Sequence, residues 1–307
     1  NDLSNYKSKE KTIVTIGTFD GVHLGHQKVL AKLIKNAENH TSVLLTFFPH
    51  PRMVLQNSVE IKLINTIDER ISLLEKTGLD VLVIHEFTKE FSKQSALEFV
   101  RNILVSKLNI AKLIIGYDHH FGKNREGNFE QLEDYSHTYG FGLKKISQQD
   151  VDEIAVSSTK IRKAIEAGAI EKANKFLGYH FMLTGEVVQG ENLGEKIGFP
   201  TANLFISEPY KLIPKTGAYI VKSILEGTTV YGMMNIGFRP TIDGKHKTIE
   251  IHFFNYNDVL YGKKIKIELL AFLRNERKFD SVEDLKIQLQ SDREKSLEVI
   301  RGIYFDG

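Results

Sequence analysis

The 307-residue sequence contains no cysteine. That removes disulfides, thiolate nucleophiles and cysteine metal sites from consideration. It also lacks an excess of either charge: 41 Lys and Arg face 39 Asp and Glu, for a formal net charge of +2. Non-specific nucleic-acid binding needs a strong basic excess or stripe, so a nucleic-acid partner is not expected, although local pockets for phosphate groups stay open. No apolar run reaches the roughly 20 residues of a membrane span, and the opening NDLSNYKSKEK is polar rather than signal-like. No internal repeat or low-complexity segment is present. A cytoplasmic protein with no membrane partner is expected. The 41% hydrophobic content is ample for a core, and the length suits two domains.

The two halves differ in periodicity. From residue 12 to about 175, short β-branched runs (TIVTIG, SVLLTFF, VLVIHEF, KLIIGYD) alternate with helical patterns: KVLAKLIKNAE, IDERISLLEKTG closing on Gly78, and SALEFVRNILVSKL. This alternation predicts an α/β domain with a parallel, doubly wound sheet, whose ligands bind beyond the carboxyl ends of the strands. After Gly178 the runs FMLTGEVVQG, GAYIVKSILEGTTVYGMMNIG, TIEIHFF and KIKIELLAFL are strand-like, with turns at Glu226-Gly227 and Asp243-Gly244. A last helix begins at the cap Ser281-x-x-Asp284 and runs through Leu285, Leu289 and Ile300. The second half is therefore expected to be a small antiparallel β-barrel with a terminal helix. The boundary is expected near 178–182, giving domains 1–180 and 181–307.

GTFDGVHLGH, residues 17–26, falls where the first strand gives way to a helix. Gly17 ends the strand, and Gly21 and Gly25 permit a tight turn with close backbone approach. The helix start offers free N–H groups and partial positive charge, and His23 and His26 add donors beside it. Such donors stabilise charge developing on phosphate without any protein nucleophile. A lone histidine is ordinarily a surface or capped residue; the HxGH spacing at a strand-to-helix turn is more specific. A zinc site is disfavoured, because the spacing is not that of HExxH and cysteine is absent. Downstream, AVSSTKIRKAIEAG sets Ser157, Ser158 and Thr159 ahead of a helix carrying Lys160 and Arg162. Alone it reads as a Ser/Thr helix cap; paired with HxGH it reads as a phosphate cradle.

HLGH with a distant SSTKIR resembles the nucleotidyltransferase superfamily, and GTFDGVHLGHQ with TFFPHP resembles its FAD synthetase branch. The resemblance implies a Rossmann-like domain in which His23 and His26 stabilise the reacting phosphates of ATP. Gly17, Thr18, Phe19, Asp20 and Gly25 would line the ATP site, and Ser157, Ser158, Thr159 and Arg162 would hold the departing pyrophosphate. Asp118 of GYDHHFGKNREG would contact ATP or its metal, with Phe47, Pro49 and Phe121 near the flavin. His119-His120 departs from the pattern, in which an aromatic residue more often follows, and their role is left open.

In the second half, GEVVQGENLGEKIGFPTANL spaces glycines at 185, 190, 194 and 198 around Lys196 and ends in Pro200-Thr201-Ala202-Asn203. Glycines let a loop close over phosphates, although turns in any barrel also use them. A hydroxyl and an amide oxygen are hard ligands suited to magnesium. Glu250, between Ile249 and Ile251, projects to the face opposite those residues and is ordinarily just an exposed strand carboxylate. This half resembles riboflavin kinase. The resemblance makes Gly190, Gly194, Lys196 and Gly198 ATP-binding and Thr201 and Asn203 the Mg-ATP residues. It makes Glu250 the general base for the riboflavin 5′-hydroxyl and Arg274 of AFLRNERKF a flavin-side residue. The chain thus resembles bifunctional riboflavin kinase and FAD synthetase enzymes of bacterial type: riboflavin and ATP would give FMN, and FMN and a second ATP would give FAD and pyrophosphate. The partners expected are these small molecules, with Mg2+ as cofactor; the sequence sets no oligomeric state. The rival readings are a monofunctional nucleotidyltransferase with a non-catalytic flavin-binding barrel, and a non-catalytic sensor module.

Overall fold

β1 (Thr12–Ile16) is buried along its whole length, the pattern of a strand with neighbours on both edges and cover on both faces. In the computed structural model, which describes residues 2–56, 61–116, 121–123, 126–146, 156–190, 193–241 and 244–304, the chain divides into two compact units, Asn1–Ser158 and Thr159–Gly307. In the first unit β1 leads to α1 (Leu24–Ala37), β2 (Thr41–Phe48), α2 (Pro51–Leu55), α3 (Ile67–Glu75) and β3 (Val81–Glu86). α4 (Ala96–Phe99), β4 (Ile110–Gly116), α5 (Phe129–Tyr139) and β5 (Gly142–Ile146) follow.

The five strands pair in parallel in the order β3-β2-β1-β4-β5. Alternation along the strands sorts their apolar residues to two faces. Val14, Ile16, Val43, Leu45, Leu113 and Ile115 join one core cluster, while Ile13, Leu44 and Ile114 join the other with Leu30 and Leu33 of α1. Strand order reverses between β1 and β4, so the crevice for a ligand lies beyond their carboxyl ends. The expected doubly wound sheet is present. β5 (GLKKI) adds an edge strand whose two lysines hide it from a search for apolar runs. The helix expected over SALEFVRNILVSKL is α4 followed by a wider π turn at Val100–Val105, with five-residue bonds such as Ser106 N–H to Arg101 O (3.1 Å). Val100, Ile103 and Leu104 of that turn are buried.

The second unit takes in most of α6 (Ser158–Glu166), then α7 (Ile170–Leu177), β6 (Met182–Val188), α8 (Leu193–Lys196) and β7 (Ala202–Phe205). β8 (Gly217–Leu225), β9 (Thr228–Thr241), β10 (Gly244–Phe253), β11 (Lys264–Asn275) and α9 (Val282–Tyr304) complete it. The strands close an antiparallel barrel in the order β10-β7-β6-β11-β8-β9, as expected. The Glu226-Gly227 turn joins β8 to β9 with both residues at positive φ (50° and 81°), the backbone a two-residue hairpin needs. Asp243 lies outside the described residues. α7 docks on β11 through Asn174, whose Nδ2 donates to Leu269 O (2.9 Å) and whose Oδ1 accepts from Phe181 N–H (2.7 Å). α9 packs Leu289, Leu297 and Ile300 into a cluster with Phe199, Met233 and Leu270.

Leu45 has no exposed surface and sits centrally in the first core. L45A is expected to cost about 2–5 kcal/mol of stability in the first unit, read by denaturant unfolding.

Candidate active sites

β1 runs out at Gly17, and the next residues turn sharply back into α1. Phe19 (φ 48°), Gly21 (φ 88°) and Val22 (φ 33°) all take positive φ. For the β-branched Val22 this is real strain, of the kind that survives only where surroundings over-determine it. The bracing is on hand. The Asp20 carboxylate, 1% exposed, accepts from the N–H groups of Ile64 (3.0 Å) and Asn65 (3.4 Å). The Thr18 carbonyl accepts from Arg70 Nη1 (2.8 Å) and Thr46 Oγ1 (3.3 Å). Gln27 Nε2 donates to Val22 O (2.9 Å), and the Ser158 hydroxyl donates to Asp20 O (2.9 Å).

The turn delivers His23 as the N-cap of α1, its Nδ1 accepting from the His26 N–H (3.3 Å). The two imidazoles stack with centroids 3.7 Å apart, and Phe19 lies 4.6 Å from the His26 ring. A side chain at Gly25 would press on the His23 ring at 3.2 Å, and the ring would have to give way slightly to admit one. Burial, then the charges of His23 and Arg70, hold His26 well below the usual histidine range. It is a neutral imidazole at neutral pH, with a buried Nδ1 that has no hydrogen-bond partner among the described residues. The structure therefore brings Gly17, Thr18, Phe19, Asp20, His23, Gly25 and His26 together, with Asp20 turned to the 64–65 backbone.

Ser158 brings the start of the SSTKIR segment to the same turn; Ser157 precedes it, and Thr159 and Arg162 follow on α6. Asp118, with His119 and His120, lies outside the described residues. Phe47, Pro49 and Phe121 sit apart from the histidines in the chain, but two of them meet through aromatic neighbours. Phe47 contacts Phe91 (5.5 Å), Phe91 contacts Phe99 (6.3 Å), and Phe99 contacts Phe121 (5.9 Å). Pro49 follows Phe48 through a cis peptide at the end of β2, next to His50, which caps α2.

In the barrel, register does the assembling. Glu250 pairs with Asn203 of β7 on one side and with Asn235 of β9 on the other. Directly paired residues point to one face, so a carboxylate stands between two amides, opposite the buried Ile249 and Ile251. Gly190 lies against Asn203: an added Cβ would sit 2.1 Å from its Nδ2. An added Cβ at Gly194 would meet Phe199 O at 2.2 Å and Thr201 Cγ2 at 3.4 Å. The glycine loop, Thr201, Asn203 and Glu250 thus form one constellation. Lys196 closes α8, and Gly198 (φ 84°) turns the chain into Phe199 and Pro200. His252 Nδ1 contacts Pro200 O (2.9 Å), tying this segment to β10. Arg274 is different. Its Nε and Nη2 both reach the buried Asp292 of α9 at 2.8 Å, and Nη1 donates to Asn275 O (3.1 Å). Asn235, Arg70 and Asp292 are the residues that sequence reasoning missed; each matters through a partner distant in the chain.

A helix start suited to phosphate on a doubly wound sheet in one unit, and a glycine-loop barrel in the other, are the features of a two-domain transferase. The FAD synthetase family model matches residues 5–160 and the riboflavin kinase model matches residues 177–300. The chain belongs to the bifunctional riboflavin kinase/FMN adenylyltransferases. Its relatives of that description include one from Buchnera aphidicola subsp. Schizaphis graminum, 39% identical over 94% of both chains. Another, from Listeria monocytogenes, is 37% identical over 92% of this chain and 90% of its own. The Escherichia coli K12 protein is 32% identical over 92% and 91%. A solved Streptococcus pneumoniae structure described as a macrolide-efflux protein superposes with TM-score 0.86 at 28% identity, covering 96% of each chain; that activity is said of the pneumococcal protein. The enzyme phosphorylates riboflavin to FMN and adenylylates FMN to FAD, with ATP as co-substrate. With both catalytic families present, a non-catalytic barrel is not favoured. Among the described residues no helix is long and apolar enough to cross a membrane.

G190A is expected to displace Asn203 and lower riboflavin phosphorylation at least tenfold, while adenylylation of supplied FMN is unchanged; product chromatography separates the two. D292A leaves Arg274 without its carboxylate and is expected to cost about 3 kcal/mol of barrel stability, read by denaturant unfolding.

Proposed function

We propose that the adenylyl-transfer centre is the strained turn and the first turn of α1. There an oxygen of the FMN phosphate attacks the α-phosphorus of ATP, a new P–O bond forms, and the bond from α-phosphorus to the bridging oxygen breaks to release pyrophosphate. His23, His26 and the α1 amides stabilise the charge gathering on the α-phosphate, and Gly17, Thr18, Phe19, Asp20 and Gly25 shape its cradle. The supporting observation is the neutral, stacked His26 on a helix start, whose imidazole keeps one N–H to donate to a phosphate oxygen. Ser157, Ser158, Thr159 and Arg162 receive the pyrophosphate, and Asp118 contributes from outside the described residues. Phe47, Pro49 and Phe121 serve the flavin, supported by the aromatic chain that links the two phenylalanines.

In the barrel, the riboflavin 5′-oxygen attacks the γ-phosphorus, the bond to the β-bridging oxygen breaks, and Glu250 accepts the hydroxyl proton. The register that sets Glu250 between Asn203 and Asn235 supports this. Gly190, Gly194, Lys196 and Gly198 close over the ATP phosphates. Arg274 orders the flavin side from its ion pair with Asp292. Mg2+ fits the donors here: Thr201 and Asn203 offer a hydroxyl and an amide oxygen, and magnesium is usually held by few protein groups plus substrate phosphates. When bound it neutralises phosphate charge. The functional border falls at residue 180, between α7 and β6. The enzyme works in the cytoplasm without a nucleic-acid partner, a reading supported by its nearly balanced charge.

H26A is expected to lower FAD formation by about 100- to 1,000-fold with FMN production intact. E250A is expected to do the reverse with supplied FMN. Loss of both activities from either substitution would refute two independent centres.

A further inference from the structure

Arg70, in the first half of α3, is 1% exposed and ranks among the largest fully buried side chains. A buried guanidinium is costly unless its surroundings use it, and no reading of the sequence gave this one a task. Its neighbourhood is unusual as well. Asn65, Thr66 and Glu69 are also buried, and Thr66 and Glu69 spend their side chains on the capping box that starts α3. That cap sets where Arg70 emerges. The preceding residues Ile64 and Asn65 are pinned by the Asp20 carboxylate. The 64–70 segment and the 18–20 turn therefore hold each other at two points: Asp20 accepting from one, Arg70 Nη1 donating to the other at Thr18 O.

Thr18 O lies directly before the run of positive φ at Phe19, Gly21 and Val22. Phe19 closes one end of the stack of rings that carries His26. Rotation of the Thr18 carbonyl would move Phe19 and, with it, the packing of His26. Arg70 also acts on His26 by charge. Burial does most to hold His26 neutral, and His23 of its own turn and then Arg70 of α3 add to it, each disfavouring a second positive charge there.

We propose that Arg70 is a positioning residue for adenylyl transfer, holding the Thr18 carbonyl and, through the braced turn, the ring of His26. The inference rests on His26 acting in FAD formation, so the two must fail separately. Full-length R70M and R70K would be assayed for FMN formation, for FAD formation from supplied FMN, and by NMR titration of ring-labelled histidine. R70M is expected to reduce FAD formation about 100-fold, the scale of a 1 Å misplacement, with riboflavin phosphorylation in the same sample within twofold of wild type. Removing the charge should raise the His26 pKa. R70K keeps the charge but not the planar fork, so FAD formation should fall while the His26 pKa stays low. A purely structural arginine would not separate the two variants in this way. FAD formation within twofold of wild type in R70K would overturn the proposal, as would an unmoved His26 pKa in R70M. If R70M fails to fold, R70K decides: reduced FAD formation with a low His26 pKa supports the inference, and wild-type FAD formation or a raised pKa overturns it. Unchanged FAD formation in H26A would instead sink the underlying assignment of His26.

Discussion

The strained reversal between β1 and α1 is the constraint on which the first unit is organised. Backbone at positive φ in Phe19 and Val22 costs on the order of 1–3 kcal/mol per residue, and within the turn the Val22 N–H donates to Phe19 O (3.0 Å). Further compensation comes from elsewhere: the 64–65 amides on Asp20, Arg70 and Thr46 on the Thr18 carbonyl, Ser158 on the Asp20 carbonyl. Those donors come from β2, α3 with its lead-in, and the start of α6, so the turn gathers much of the unit around itself. What the strain achieves is placement. It ends a parallel strand and starts a helix within a few residues, so that two imidazoles and the free amides of α1 converge at the switch point of the sheet.

The second unit positions its polar groups by different physics. A closed antiparallel barrel fixes register, and register sets Asn203, Glu250 and Asn235 side by side on adjacent strands. A slip of one residue would send Glu250 to the face of Ile249 and Ile251. The glycine loop then lies on Asn203 and Thr201 because no side chain intervenes. Each unit thus places its polar groups by a rigid element.

Much of this was legible from the residues. Alternating apolar runs marked the parallel sheet, and turn chemistry at Glu226-Gly227 marked the hairpin, because backbone conformation there follows from local sterics. GTFDGVHLGH and PTAN carried the resemblance to the two families that the chain matches. β5 escaped notice because Lys144 and Lys145 break its apolar run. The π turn after α4 escaped because it differs from an α-helix in its five-residue hydrogen bonds, such as Ser106 N–H to Arg101 O, which a short apolar pattern does not reveal.

By itself, then, the sequence determined the class of each half and nominated the residues for its chemistry, since period, glycine placement and motif spacing are local properties. Tertiary structure alone decided how those residues are held. Asp20 reads as a ligand group in its motif, yet its carboxylate faces backbone 44 residues away in the chain. Arg274 reads by resemblance as a flavin-side residue, yet its guanidinium is paired with Asp292 on α9. Arg70 lies in no motif, yet it is buried on Thr18. Each of these depends on a partner brought near only when the core closes, and no local pattern encodes that distance.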